Sequence, residues 1–210
     1  QIGYMIESTL DGQLMEQGID SKLLVSLITY VVVDAGDPAF KAPSKPIGPA
    51  YSEQQAAGKG SPMVLTATGY RRVVASPRPV SVVEKREIQA LIDMDFIVIC
   101  CGGGGIPVIR EARGFHGVDA VIDKDLASQC LAEEVGVDLL IVATDVEGVF
   151  LEFGREGQSL LRRLQVARAA ELIELGQFPE GSMLPKVQAT MHFVCNSGKR
   201  AVICSIWDIE

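Results

Sequence analysis

Apolar residues, mostly Ile, Val, Leu and Cys, run almost without interruption through residues 96–101, 138–143 and 201–206. Runs of this kind predict parallel strands covered on both faces, because a strand with one wet face alternates instead. Between the runs the period lengthens to that of a helix. Leu126, Cys130, Leu131 and Val135 form one apolar stripe, and Val166, Ala169, Ala170 and Ile173 form a second. Val187, Met191, Val194 and Cys195 form a third, entered through Pro185 at a position suited to a first helical turn. Strands alternating with helices predict a doubly wound α/β sandwich.

Residues 34–70 break that rhythm. They hold Pro38, Pro43, Pro46, Pro49 and Pro62, interleaved with Gly36, Gly48, Gly58, Gly60 and Gly69. Such a density excludes long helices and central strands. The segment is expected to form a lid or small protruding subdomain inside one domain spanning residues 1–210. A flexible connector is the plainer alternative for a stretch of this length. At the other extreme, helical spacing is already running at Ile2, Met5, Ile6 and Leu10, with neither a Met nor a cap before it. A start inside a helix gives the expectation of a piece of a longer polypeptide.

Composition narrows the classes. The 210 residues, 48% hydrophobic, supply one large core. No apolar run approaches the roughly 20 residues of a bilayer span, and residues 2–14 carry Glu7 and Asp11 with no basic leader. A net charge of −8 argues against a nucleic-acid partner, whose phosphates call for clustered cations. Five cysteines without C-x-x-C spacing are expected to be reduced, core-filling thiols of a cytoplasmic protein. Two histidines are too few for a His-rich metal site, and no residue is assigned as a metal ligand.

Four features could carry chemistry. Gly102, Gly103, Gly104 and Gly105 follow directly from the strand at 96–101. Ligands of open α/β sheets bind beyond the carboxyl ends of strands, where glycine lets backbone amides approach an anion. The spacing is neither that of a Walker loop nor that of a dinucleotide fingerprint, but four ordered glycines are costly for a purely structural turn. Lys124 stands just before a helix expected to begin at Leu126, with Asp125 as its N-cap. Lys186 stands in the first turn of the third helix. A cation at a helix N-terminus opposes the macrodipole at a cost of roughly 0.3–1 kcal/mol. Two of them suggest a bound anion such as a phosphoryl group, although solvated surface lysines would look the same. Thr144 and Asp145, at the end of the 138–143 strand, suit a nucleotide contact or a turn cap equally well.

Taken together, residues 101–108 (CGGGGIPV), 117–127 (GVDAVIDKDLA) and 181–187 (GSMLPKV) resemble the carbamate kinases of the amino acid kinase superfamily. Residues 43–49 (PSKPIGP) and 74–79 (VASPRP) extend the resemblance into the proline-rich stretch. The resemblance implies a three-layer αβα sandwich around a mainly parallel sheet, with a protruding subdomain at 34–70. It implies reversible transfer of the γ-phosphoryl of MgATP to carbamate, giving ADP and carbamoyl phosphate, with Mg²⁺ as cofactor. A cytoplasmic homodimer placed downstream of arginine or purine breakdown is implied as well. Lys124 and Lys186 match lysines that stabilise the transferring phosphoryl, and Asp125 matches the aspartate that organises them. Lys45 matches a substrate-directed lysine of the subdomain, and Gly102, Gly103 and Gly104 fall on the substrate side. Thr144, Asp145, Val146, Phe150, Ser182 and Met183 match the nucleotide side.

The family's N-terminal Gly-Gly-Asn segment, its later Gly-Asn-Gly-Pro-Gln segment and its final strand have no counterpart in these 210 residues. Either the polypeptide is a fragment or it is a form without those loops, and weak or absent turnover is expected of it. Two further possibilities stand beside carbamate kinase. One is another amino acid kinase acting on a carboxylate, against which the insert with Lys45 argues. The other is a non-catalytic nucleotide-binding or interaction module.

Overall fold

The computed structural model describes residues 2–209. They form two compact units, Gln1–Ala127 and Ser128–Glu210.

The first unit opens with α1 (Ile2–Glu16), followed by β1 (Leu23–Ser26). A side-chain carbon at Gly3 would overlap the Ser26 hydroxyl, so glycine allows the helix to lie against the strand. None of the helix's described residues is buried, and the apolar spacing at its start faces outward, with Ile2 65% exposed. The apolar run that follows splits into β1 and β2 (Tyr30–Val33). Val31, Val32 and Val33 are the buried centre of this unit.

The proline-rich segment folds into its own antiparallel sheet. It comprises β3 (Lys45–Tyr51), β4 (Met63–Thr66) and β5 (Gly69–Val74), in the order β3-β5-β4, with α2 (Glu53–Ala57) between the first two. Pro46 and Pro49 both lie in β3, an edge strand, where the missing N–H leaves no gap in a ladder. A full capping box holds the short helix, with Ser52 and Gln55 each bonded to the other's backbone. The chain returns through β6 (Pro79–Val82) and α3 (Lys85–Asp93) to β7 (Phe96–Ile99). A hairpin of β8 (Ile106–Glu111) and β9 (Gly114–Gly117) leads into α4 (Lys124–Glu134). β1 pairs in parallel with β7, while β2 lies between antiparallel β6 and parallel β8.

The second unit contains β10 (Leu139–Thr144), the short pair β11 (Phe150–Leu151) and β12 (Ser159–Leu160), α5 (Val166–Glu174), α6 (Met183–Ser197) and β13 (Arg200–Ser205). Six residue pairs join β10 and β13 in parallel, Leu139 with Arg200 through Thr144 with Ser205. Phe193 of α6 is fully buried and packs with Ala132, Leu140 and Val142. A second cluster gathers Val149, Ala169, Leu172, Phe178 and Val187.

Three expectations need correction. β10 is covered on one face only. Leu140, Val142 and Thr144 point inward, and Leu139 and Ile141 are 41% and 45% exposed, because α6 packs against a single side. Cys195 is exposed, because the buried face of α6 runs through Pro185, Val187, Ala189 and Phe193. Asp125 does not cap α4, since Lys124 already lies inside the helix and the Asp123 carboxylate accepts the amide of Asp125 at 2.9 Å. All five cysteines are thiols, and only Cys101 and Cys130 are buried.

Candidate active site

In the first unit the glycine run and the segment 119–125 are built against one another. β7 ends at Ile99, and Cys101 takes a left-handed conformation (φ 53°), turning the chain into a 3₁₀ turn at Gly102–Gly104. Thr29, a buried polar residue, steadies the entrance. Its hydroxyl accepts the Cys101 amide at 2.9 Å, and its carbonyl accepts the Ile106 amide at 2.8 Å. The glycines then divide into two kinds. Gly104 (φ +106°) has no room for a side chain, because a Cβ would overlap the Ile122 carbonyl oxygen. Gly105 (φ +77°) would place one 2.5 Å from a Val31 methyl. Gly102 and Gly103 meet nothing within 4 Å. Packing therefore explains the last two glycines, and open space surrounds the first two. Gly102 and Gly105 border a groove of about 670 Å³, together with Thr29 and Cys100. The Cys101 side chain, hydrogen-bonded to Cys100, lowers the Cys100 thiol below its ordinary pKa against the opposing effect of burial.

Just beyond Ile122, charged side chains collect. Asp123 is 9% exposed, and each of its oxygens has a partner. Oδ1 accepts the Asp125 amide at 2.9 Å, and Oδ2 accepts Lys45 Nζ at 2.7 Å. Burial pushes this carboxyl up, but the hydrogen bond and charge of Lys45 and the amides of Asp125 and Leu126 outweigh it. The net result is a pKa below the usual carboxylate value. Lys124 is exposed and Asp125 is buried, one after the other at the start of α4. The fold thus brings Lys45, Lys124 and Asp125 around Asp123, a residue that the sequence did not single out. Its place three positions before Leu126 in an Ile-Asp-Lys-Asp string was the available signal, since an Asp just ahead of a helix is an N-cap candidate.

In the second unit a cavity of about 270 Å³ opens beyond the carboxyl end of β10. Thr144, Asp145, Val146, Phe150, Ser182 and Met183 all line it, joined by Gly148, Phe153, Gln177, Phe178 and Pro179. Every residue assigned to the nucleotide side therefore borders this one cavity. Thr144 is buried and donates to Asp145 Oδ1 at 3.1 Å. Phe150 and Phe153 stand with ring centroids 5.7 Å apart and tilted by 50°, and Phe153 is 52% exposed. Gln177 donates to Glu152 at 3.1 Å and, with Arg155, holds that carboxyl below its ordinary pKa. Ser182 sits at the N-cap of α6 without a side-chain cap bond. The Pro179 carbonyl accepts the Leu184 amide of the first turn at 3.1 Å, and Ser182 and Met183 border the cavity. Lys186 is half-buried in that first turn and is not among the lining residues.

An α/β scaffold with parallel central ladders, a glycine turn at a strand exit and a cavity at a strand's carboxyl end is the kind that handles small phosphorylated ligands. The amino acid kinase family model matches residues 12–205, and the chain belongs to that family. Within it, the similarity is to carbamate kinases. Carbamate kinase 2 of Enterococcus faecalis is 44% identical over 100% of this chain and 69% of its own length. The carbamate kinase of Pyrococcus horikoshii is 45% identical over 98% of this chain and 67% of its own. The solved carbamate kinase from Giardia lamblia bound to AMP-PNP superposes with a TM-score of 0.87 at 38% identity, covering 97% of this chain and 66% of that one. The chain thus spans about two thirds of the length of these relatives. Their likeness establishes the αβα amino acid kinase fold inferred from the sequence.

Proposed function

We propose that this chain carries the nucleotide cavity and three of the lysines of a carbamate kinase, which transfers a phosphoryl group reversibly between MgATP and carbamate. The supporting observation is the cavity of the second unit, whose wall contains all six residues that the family resemblance assigns to the nucleotide. The apolar ring faces of Phe150 and Phe153 suit a base, and the start of α6, at Ser182 and Met183 on the same cavity, presents the positive end of the helix dipole to phosphate. That the related Giardia enzyme was solved with AMP-PNP agrees with this.

In the proposed reaction a carbamate oxygen attacks the γ-phosphorus and the bond to the β-phosphate oxygen breaks, leaving ADP and carbamoyl phosphate. The acceptor is already an anion, so neither a protein nucleophile nor a strong base is needed. Charge spreads over the equatorial oxygens of the transferring group, and fixed cations and amides supply most of the catalysis. Lys124 and Lys186 are assigned to that charge, Asp125 to ordering the lysines, and Lys45 with Gly102, Gly103 and Gly104 to the acceptor side. Mg²⁺ would arrive on the nucleotide, held chiefly by its phosphates.

A hexokinase-coupled assay with ADP, carbamoyl phosphate and Mg²⁺ tests the assignment, with ATP formation expected. Activity on acetylglutamate and none on carbamoyl phosphate would overturn the acceptor. Because the chain spans about two thirds of its relatives, turnover well below that of a complete relative is expected. Homodimer formation is proposed on the resemblance, and sedimentation would test it.

A further inference from the structure

We infer that Asp123 is a positioning residue for the acceptor side of this site. Its one carboxylate both starts the helix that opens with Lys124 and Asp125 and holds Lys45 of the β3-β5-β4 sheet at that helix's first turn. The inference rests on the phosphoryl-transfer reading above.

Geometry carries it. A buried carboxylate is costly unless its charge is paired and its lone pairs are filled. Asp123 meets both conditions with two different parts of the chain. One oxygen takes the Asp125 amide, and the other takes the ammonium of a lysine 78 positions earlier. The Lys45 side chain remains 33% exposed. Without a partner, a side chain of four rotatable bonds at the first residue of an edge strand would sample many rotamers. The pair selects one.

The surrounding contacts show that joining the two segments does not itself require this pair. Backbone groups already do so, through the Ala75–Ala120 bridge and the Val121 amide donating to the Ala75 carbonyl at 3.0 Å. Arg72 and Asp119 add an ion pair at 2.7 Å, but its side chains are 44% and 80% exposed, so solvent screens it. The Lys45–Asp123 pair is the shielded one, with the Asp123 side chain 12% exposed. A shielded carboxylate fixes an ammonium's position while leaving its remaining N–H groups available to an incoming anion.

Three substitutions in the full chain test this: Asp123→Asn, Asp123→Ala and Lys45→Met, together with the Asp123→Asn/Lys45→Met double variant. Asparagine keeps an oxygen for the Asp125 amide and loses the charge. Its melt should therefore fall only by the contribution of the ion pair, while alanine, which loses the cap as well, should melt lower still. In the ATP-forming assay Asp123→Asn should raise the KM for carbamoyl phosphate by about tenfold and leave the KM for ADP within about twofold. The double variant should be no worse than either single one, since the two residues act as one unit. Carbon-detected titration should show the Asp123 carboxyl rising when Lys45 is replaced. An unchanged KM for carbamoyl phosphate in Asp123→Asn, equal rises in both KM values, or additive effects in the double variant would overturn the role. Should the unsubstituted chain turn over acetylglutamate and form no ATP from carbamoyl phosphate, the acceptor reading fails and takes the acceptor half of the inference with it. The titration alone then decides whether Asp123 holds Lys45.

Discussion

Gly104 lies so close to Ile122 that a single added carbon would overlap the Ile122 carbonyl oxygen. That contact seats the glycine turn after β7 directly on the segment leading to Asp123, Lys124 and Asp125. The positive φ of Gly104 adds a second restriction, one that side chains rarely tolerate.

Gly104→Ala should therefore destabilise the protein by about 2 kcal/mol or more, from steric overlap and backbone strain together. Gly102→Ala, at a position with no neighbour within 4 Å, should stay within about 0.5 kcal/mol of the parent. Denaturant melts of the two variants measure the contrast. Equal losses at both positions would show that the packing at Ile122 is not what demands glycine.

Asp123 gives a stability that depends on acidity. Its folded carboxyl pKa is lowered, so its contribution is present above the unfolded value of about 3.9 and is lost as pH falls through the lower folded value. Thermal melts from pH 6 down to pH 2 should fall more steeply for the parent than for Asp123→Asn, with the curves parallel above about pH 5. Parallel curves throughout would mean that Lys45 gives the carboxylate no net stabilisation.

The cavity of the second unit separates binding from packing. Phe153 is half exposed at its edge, whereas Phe178 is 4% exposed within the core. Phe153→Ala should weaken ADP binding by about tenfold, the scale of one lost aromatic contact, and hardly change the melt. Phe178→Ala should cost about 3–5 kcal/mol of stability. Calorimetric titration with ADP, paired with denaturant melts, distinguishes the two. Unaltered ADP affinity in Phe153→Ala would move the base away from this wall.

Lys186 stands in the first turn of α6, where a cation is unfavourable unless an anion faces it. Lys186→Met or Lys186→Gln should leave the melt close to that of the parent and lower kcat by about a hundredfold, with much less effect on nucleotide affinity. A strongly lowered melt with kcat intact would make Lys186 a packing residue.

Periodicity was sufficient for the parallel strands β7, β10 and β13 and for the helices between them, because burial imposes those periods directly on the order of residues. Proline and glycine density likewise marked residues 34–70 as having no long helix, and the prolines of β3 do lie on an edge. The Lys124 and Lys186 segments stood out because they fall in contiguous strings that carry the family resemblance, and the six residues assigned to the nucleotide side, drawn from two stretches of the chain, line one cavity. Other features depend on which side of an element finds a neighbour. The same apolar string serves a strand covered on one face or on two, so the exposed Leu139 and Ile141 could not be read from order alone. Nor could the use of Asp123. Two aspartates flank Lys124, either could cap a helix, and the choice follows from where the backbone turns. Only the tertiary structure brings Lys45 within 2.7 Å of a residue 78 positions away, because a long-range ion pair leaves no period or spacing in the chain that forms it.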